Sequence, residues 1–570
     1  MHISDQSIEF FQTRLMQDLM LFLPELFLCL AIVLILISRL ISNVDRSHLC
    51  MMALAFTIGA LVVSVCQWSG VSTWEQIANP AARQPWAGNS NQQGIFSGLL
   101  IYDNFTLFMR IFLLSFTALV LVLSLLTGIP QPEESADFSC LLLGATLGMM
   151  LMASANHLLM VFIAVEMASV PSYALAGFLK TNRASSEASL KYVVYGGGAA
   201  GVMLYGISLI AGKFGTGYLP DVAKGFFVVL QNASPGAVTA FDPILFLGTL
   251  FVLVGLAFKI SAVPFHFWCP DVFEGAAAEV AAFLSVASKG AALALLARFS
   301  FVLASIGDPN MQPSLVAWLE TAYFLVPAIA LFAAVTTTFG NLAAFAQTNM
   351  KRLLAYSTIA HAGFMLMGLA TLSRDGASAV LFYLVAYLFT NLGAFAVVAF
   401  LRNQTGSEEI ASYRGLIYRS PMMTVTLSIF LVSLLGIPPL AGFAAKFQVF
   451  RVLFDAGQLY TAQQQSTLGF TMYSLLVIGA LNTVISAFYY LKVVRTMILD
   501  KPVEVIEGEE PEPYSTPAMD SLYAFVLSAL IFVVGILWNP LIQASDAGAS
   551  SFKQIPWPVA TASRADIPPQ

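Results

Sequence analysis

Apolar runs of about twenty residues, separated by short polar interruptions, fill almost the whole chain, and a helix needs about that length to cross a bilayer. The pattern predicts about fourteen membrane-spanning helices, starting near Met20, Leu49, Asn104, Phe138, Asn156, Ser189, Pro243, Ala276, Val316, Arg352, Ala379, Met422, Phe470 and Leu522. The connections are short except at Ser69 to Asp103, Gly212 to Asp242, Arg402 to Ser420 and Asp500 to Thr516, and none is long enough for a separate soluble domain. Two segments depart from this regularity. In "FKISAVPFHFWCP" Lys259 precedes Pro264, and in "GIPPLAGFAAKFQVF" Pro438 and Pro439 precede Lys446, so each couples a helix breaker to an ammonium in the opposite order. Backbone freed at membrane depth is tolerated only inside protein or along a wet cavity. Interrupted helices in corresponding positions of two halves therefore point to a transport path, with a plain proline kink as the alternative.

Composition sharpens the class. Hydrophobic residues make up 58%, charged residues 10%, and the mean hydropathy is +0.80, whereas about 25% of residues are charged in soluble domains. An all-α polytopic membrane protein is predicted. The net charge of -6 is small and the basic residues are scattered, which excludes a nucleic-acid surface. The five cysteines lie in or beside apolar runs without CxxC spacing, so neither a disulfide framework nor an iron–sulfur site is indicated. No GxGxxG on a strand, P-loop or haem ligand set is present, and no metal site is expected. The first apolar run is too long for the core of a cleavable signal and reads as a spanning helix. Lys and Arg in the short loops favour both termini outside, with Lys180, Arg183, Lys351, Arg352, Arg402, Arg414 and Arg419 among the inner charges. The acidic run "EVIEGEEPEPYSTP" then reads as a solvated inner loop.

Charges inside the apolar runs carry the candidate chemistry. A charge at the bilayer centre costs about 2.5 to 3.5 kcal/mol even on lenient insertion scales, so each needs compensation. Glu166, Lys259, Lys289 and Lys446 fall near mid-membrane, and His361 lies about 15 Å deeper than Lys351 at 1.5 Å per residue. Lys191 is nearer a helix end, where a long side chain can snorkel to water. His361 is either a satisfied core histidine or a relay group, and His266, directly after a helix break, is a further candidate. Arg110 and Arg298 lie in apolar runs without a role that the sequence assigns. Burial favours the neutral form of a lysine, whereas an approaching carboxylate favours the ammonium. A Glu166 that approaches and leaves a lysine would thus make it hold and release a proton. A roughly thousand-fold swing in proton affinity corresponds to about 4 kcal/mol. Moving one proton against 150 to 200 mV takes about 3.5 to 4.6 kcal/mol, so the magnitudes match.

The segments "EMASVPSYALAGF", "EASLKYVVYGG", "FKISAVPFHFWCPDVFEGA", "FLSVASKGA" and "MKRLLAYSTIAHAGFM" together resemble the antiporter-like membrane subunits of respiratory complex I, the bacterial NADH-quinone oxidoreductase. "PDVFEGA" is similar to the N-type branch, where the M and L branches and Mrp-type antiporters carry a loop built around a histidine. Lys446 also separates the chain from the M branch, which has a glutamate there. The resemblance implies two inverted five-helix repeats with broken seventh and twelfth helices. It divides the chain into N-terminal helices at 1–137, a first repeat at 138–303, a second at 304–500, and an acidic loop, last helix and tail at 501–570. It implies a relay in which Glu166 pairs with Lys259, Lys289 is central, Lys446 lies on the exit side and Lys191 modulates. Proton translocation would be driven by electron transfer from NADH, or ferredoxin, to quinone in partner subunits. Those partners would hold NAD, FMN, iron–sulfur clusters and quinone, with no cofactor in this chain. The partners implied are an M-like antiporter subunit, small membrane subunits and the lipid of a cell inner membrane, with both termini periplasmic. A stand-alone or Mrp-type cation/proton antiporter is the alternative, and a structural scaffold a third. One departure stands out: "GAAAEV" replaces the family's "GAPTPV", adding Glu279 at the start of the eighth helix.

Overall fold

The computed structural model describes residues 14–40, 48–70, 92–231, 242–305, 315–502, 504 and 512–552. The acidic run, apart from Glu504 and residues 512–517, and the tail beyond Phe552 lie outside the described residues. So do part of the sidedness charges, Arg83, Lys553 and Arg564 among them. The elements in order are α1 (Leu23–Leu40), α2 (His48–Trp68), the strands β1 (Gln93–Ile95) and β2 (Leu100–Tyr102), α3 (Asn104–Thr127), α4 (Ser135–Ser154), α5 (Leu158–Ala176), α6 (Arg183–Phe214) and α7 (Leu219–Gln231). They continue as α8 (Pro243–Ile260), α9 (Trp268–Gly275), α10 (Ala278–Phe283), a π-helical turn at Leu284–Ser288, α11 (Lys289–Ser305), α12 (Leu315–Ala344) and α13 (Met350–Ala370). Then come α14 (Arg374–Thr405), α15 (Leu416–Arg419), α16 (Pro421–Leu435), α17 (Ala441–Ala462), α18 (Ser466–Ile498), α19 (Ala518–Ile536) and α20 (Asn539–Ala549). Thirteen described helices are long and apolar enough to cross a membrane, and α16 with α17 supplies an interrupted further span, in agreement with the predicted count.

Polar residues that the sequence sets ahead of apolar runs cap them. Asp103, His157, Asn182, Asp242, Asn349 and Ser373 each accept a hydrogen bond from a first-turn N–H, satisfying a donor that the helix itself cannot. At Asp242 the Lys213 ammonium adds an ion pair and holds the carboxyl below the usual carboxylate range. Asn182 starts α6 at Arg183, six residues before the expected Ser189, because the polar first turns carry no apolar signal. Residues 92–103, expected as a connection, form an antiparallel hairpin in the register Gln93↔Tyr102 and Ile95↔Leu100.

Burial orders the bundle. The eighth span, built from α10, the π turn and α11, is buried throughout, and α13 and α14 nearly so, whereas α1, α2, α18 and α19 keep most of their surface free. Both interrupted helices break where the sequence places its prolines. α8 ends at Ser261, whose φ is 63°, and α9 resumes at Trp268. α16 ends at Gly436, whose φ of 92° and a virtual Cβ only 3.0 Å from Lys446 Cδ require glycine. The "GAAAEV" departure keeps a defined start: Glu279 is fully buried and accepts from Arg402 at 3.3 Å, while Lys351 donates to the Ala276 carbonyl at 2.7 Å.

The two arginines without a sequence-assigned role are cross-links. Arg110 binds Glu25 at 2.7 Å and donates to the Leu21 carbonyl, joining α3 to α1. Arg298 binds Asp103 through two contacts of 2.9 Å and donates to the Ala153 carbonyl, tying α11 to α3 and α4. Removing one partner of a buried pair leaves an uncompensated charge, at about 3 to 5 kcal/mol. Arg298→Met is therefore expected to lower the amount of folded subunit in membranes, and adding Asp103→Asn to restore part of it. Unchanged levels in the single variant, measured by quantitative immunoblot, would contradict a structural role.

The last helix closes one end of the bundle. α20 packs on α14 and α3. Beyond it Ser550 accepts from Asn104 at 2.7 Å, Ser551 accepts from the Phe105 N–H at 3.1 Å, and Phe552 packs between Phe105 and Phe301.

Candidate functional site

The lone acid of α5, Glu166, stands partly exposed on a narrow crevice between α5, α6 and α8, shared with Tyr173, Gly196, Met203 and Lys259. Lys259 occupies the last turn of α8, where the break exposes the helix's carbonyl end and the dipole favours a cation. Its ammonium is buried, has no hydrogen-bond partner among the described residues, and lies 5.9 Å from the centre of the Tyr192 ring. Glu166 and Lys259 thus face one crevice but do not touch: among the described residues no ion pair or hydrogen bond joins them. The expected pair is a pair across a gap.

Lys289 follows directly on the π turn, a feature frequent at functional sites. It donates to Ser261 Oγ at 3.0 Å and lies 3.5 Å from Cys269 Sγ, with the rings of Trp268 and Phe273 just over 5 Å away. Ser261 is the residue that terminates α8, two positions after Lys259, so the Lys289 ammonium of α11 binds the short segment that carries Lys259. Asn391 of α14 donates to Ser285 in the π turn and fixes its other wall.

Farther along, His361 of α13 hydrogen-bonds through Nδ1 to the Tyr383 hydroxyl at 2.6 Å and through Nε2 to Tyr490 at 3.3 Å, and Tyr490 continues to Ser357 at 2.5 Å. Phe364, one turn on from His361, puts its ring 4.8 Å from the Lys446 ammonium. Lys446 donates to the Leu435 carbonyl at 2.9 Å, the exposed end of α16. Each interrupted helix therefore carries a buried lysine beside its break, Lys259 in the last turn ahead of the first and Lys446 after the second, where it binds the freed Leu435 carbonyl.

The remaining candidates separate from this line. Lys191 is partly exposed and bridges Glu187 at 2.8 Å and Asp271 at 2.7 Å. Asp271 also holds Arg352 at 2.8 Å, which reaches Glu274 at 2.6 Å, so α6, α9 and α13 meet in an ion network at one end of the bundle. His266 packs on Phe267 and Phe339 with Nδ1 unpartnered and makes no contact with the lysines among the described residues. Sequence reasoning missed Tyr383, Tyr490 and Asp271. The tyrosines sit in apolar runs and read as core, while Asp271 and Glu274, three residues apart after the break, were the available sign of a charged inner cluster.

Residues 155–471 match the family model described as NADH:quinone oxidoreductase/Mrp antiporter, TM. NADH-quinone oxidoreductase subunit N of Anaeromyxobacter sp. is 41% identical over 468 residues, 81% of this chain and 86% of that one. A chain in the structure of respiratory complex I from Thermus thermophilus with bound Aureothin superposes with a TM-score of 0.68 at 27% identity, over 92% of this chain and 100% of its own. A chain of the Mrp complex from Dietzia sp. shares the fold, with a TM-score of 0.72 at 18% identity over 94% of this chain and 97% of its own. With half the chain inside the family model and relatives this similar over most of its length, the chain belongs to the family of NADH-quinone oxidoreductase subunit N, the antiporter-like membrane subunits of respiratory complex I.

Proposed function

We propose that the chain is a proton-translocating membrane subunit of an NADH:quinone oxidoreductase, moving protons along Glu166, Lys259, Lys289, His361 and Lys446 while electron transfer takes place in partner subunits. The observation that carries this reading is the unpartnered buried ammonium of Lys259 facing Glu166 across a crevice. A buried charge without a fixed partner is costly, so the site favours one of two changes: Glu166 closes in and the ammonium persists, or the proton moves on. Ser261 bridges the next step, because its hydroxyl can accept from Lys289 while its backbone adjoins Lys259. Tyr383 and Tyr490 hold His361 in place ahead of Lys446. Lys191 tunes the resting charge through Asp271, and His266 stays outside the line. The two broken-helix repeats, at 138–303 and 304–500, each contribute one half-helix terminus.

Sidedness follows from the ends. Lys191, Lys351, Arg352 and Arg402 converge with Asp271, Glu274, Glu279 and Glu408 on one end of the bundle, which the positive-inside rule makes cytoplasmic. A cysteine at Ser407 is expected to react with an impermeant reagent only from the cytoplasmic side, and one at Gln464 only from the periplasmic side. Reversed labelling would invert the assigned direction. Partner choice is tested by purification: the chain should leave the membrane with NADH-oxidising activity and with an M-like antiporter subunit and small membrane subunits bound. Isolation of the chain as an independent cation/proton antiporter would favour the Mrp-type alternative.

A further inference from the structure

Lys259, Lys289 and Lys446 are buried and form no ion pair with a carboxylate among the described residues, and each rests against an aromatic ring instead. Lys259 lies 5.9 Å from the centre of the Tyr192 ring, Lys289 5.3 Å from Trp268 and 5.2 Å from Phe273, and Lys446 4.8 Å from Phe364. A cation over the negative face of a ring, within about 6 Å of its centre, is attracted by the ring quadrupole, most strongly for tryptophan and where water is excluded. The seats of Lys259 and Lys289 are joined. Tyr192 and Trp268 are fully buried and stack with centroids 4.2 Å apart and planes inclined by 7°. Tyr192 comes from α6, and Trp268 from the first turn of α9, just past the break that leaves Lys259 at the end of α8. The indole N–H donates to the Phe258 carbonyl at 3.0 Å, which fixes the ring beside the residue that precedes Lys259. Tyr173, which lines the crevice of Glu166, meets Tyr192 edge-on with centroids 4.7 Å apart. The Tyr192 hydroxyl has no hydrogen-bond partner among the described residues, so the ring face is what this side chain offers the lysines.

We infer that the stacked Tyr192 and Trp268 rings are a shared seat for the ammonium groups of Lys259 and Lys289, two positioning residues that hold each charge in place by cation–π attraction where no carboxylate stays in contact. The inference deepens the proposed relay and rests on it. A carboxylate in permanent contact would oppose the ammonium with a full charge, in a buried site where that attraction is least screened. Such a lysine would keep its proton. A ring face offers only a quadrupole, so the ammonium is held through the interval in which Glu166 is withdrawn, and its proton can still leave. Trp268 anchors the seat because its N–H is tied to the carbonyl of Phe258, so the ring moves with the end of α8 that carries Lys259. Phe364 repeats the device at Lys446, where the Leu435 carbonyl adds a hydrogen bond.

The test uses the assembled complex in liposomes, with protons moved per electron as the readout. Replacing Trp268 site-specifically by increasingly fluorinated tryptophans keeps the ring's shape and its N–H while drawing electron density from its face. Pumping is expected to fall stepwise along the series, by about two- to fivefold at its end, the factor that one cation–π contact carries. Fluorine makes the indole N–H a stronger donor to the Phe258 carbonyl, so a merely structural role would not weaken along the series. Tyr192→Phe keeps the ring face and should pump as the unaltered complex does, whereas Tyr192→Leu removes the face and should pump poorly. If Tyr192→Leu does not assemble, the fluorinated series decides. Equal pumping across that series, or a loss in Tyr192→Phe as deep as in Tyr192→Leu, would overturn the seat, while a defective Lys259→Ala leaves the relay standing. Normal pumping in Lys259→Ala would instead remove the relay on which the seat depends.

Discussion

Lys259→Ala leaves the complex assembled and lowers proton pumping by more than about tenfold, at least about 1.4 kcal/mol on the transfer barrier. Assembly survives because the ammonium has no hydrogen bond to lose and its removal relieves a buried charge. Pumping is expected to fail because the proposed relay loses the group that would hold and release the proton. Glu166→Gln acts on the other side of the same crevice and should be similarly severe, since an amide cannot favour the ammonium as a carboxylate does. If the two form one unit, the double variant loses no more than either single one. Additive losses in protons moved per electron would show that they act separately.

Lys446→Arg is the sharper experiment on the second half. The ammonium caps the carbonyl end of α16 through Leu435 and lies against Phe364, an arrangement that a fixed positive charge would satisfy equally well. A guanidinium cannot deprotonate inside a protein. A structural cation therefore survives this substitution, and a proton carrier does not. Both Lys446→Arg and Lys446→Met are expected to assemble and to pump poorly, with proton transfer measured against quinone reduction in the same liposomes. Full proton transfer in the arginine variant would make Lys446 a fixed electrostatic element.

The helices were legible because their apolar runs are long, and the breaks because proline cannot continue a helix. Even the twelfth span, whose halves α16 and α17 are separate elements, is visible as one apolar stretch around Pro438 and Pro439. The hairpin at 93–102 and helix α7 were not, since each is short and lies within a connection. At the site, Lys259, Lys289 and Lys446 stood out because charge is rare in apolar runs. Their surroundings did not: Tyr383 and Tyr490 have the hydropathy of core residues, and the partners Glu25 of Arg110 and Asp103 of Arg298 are distant in sequence. The gap between Glu166 and Lys259 is set by how α5, α6 and α8 pack, which no periodicity encodes.

The seam made by Ser550, Ser551 and Phe552 has a consequence for biogenesis. Ser551 caps the Phe105 amide across 446 positions, so the start of α3 is completed only after all the later described spanning helices have been made. During insertion that helix end waits, with Phe105 and Phe301 lacking their Phe552 neighbour, until residue 552 has been made. A chain truncated before residue 545 therefore carries every described spanning helix yet presents an unfinished face to membrane proteases, and synthesis through residue 552 becomes a condition for survival rather than for insertion.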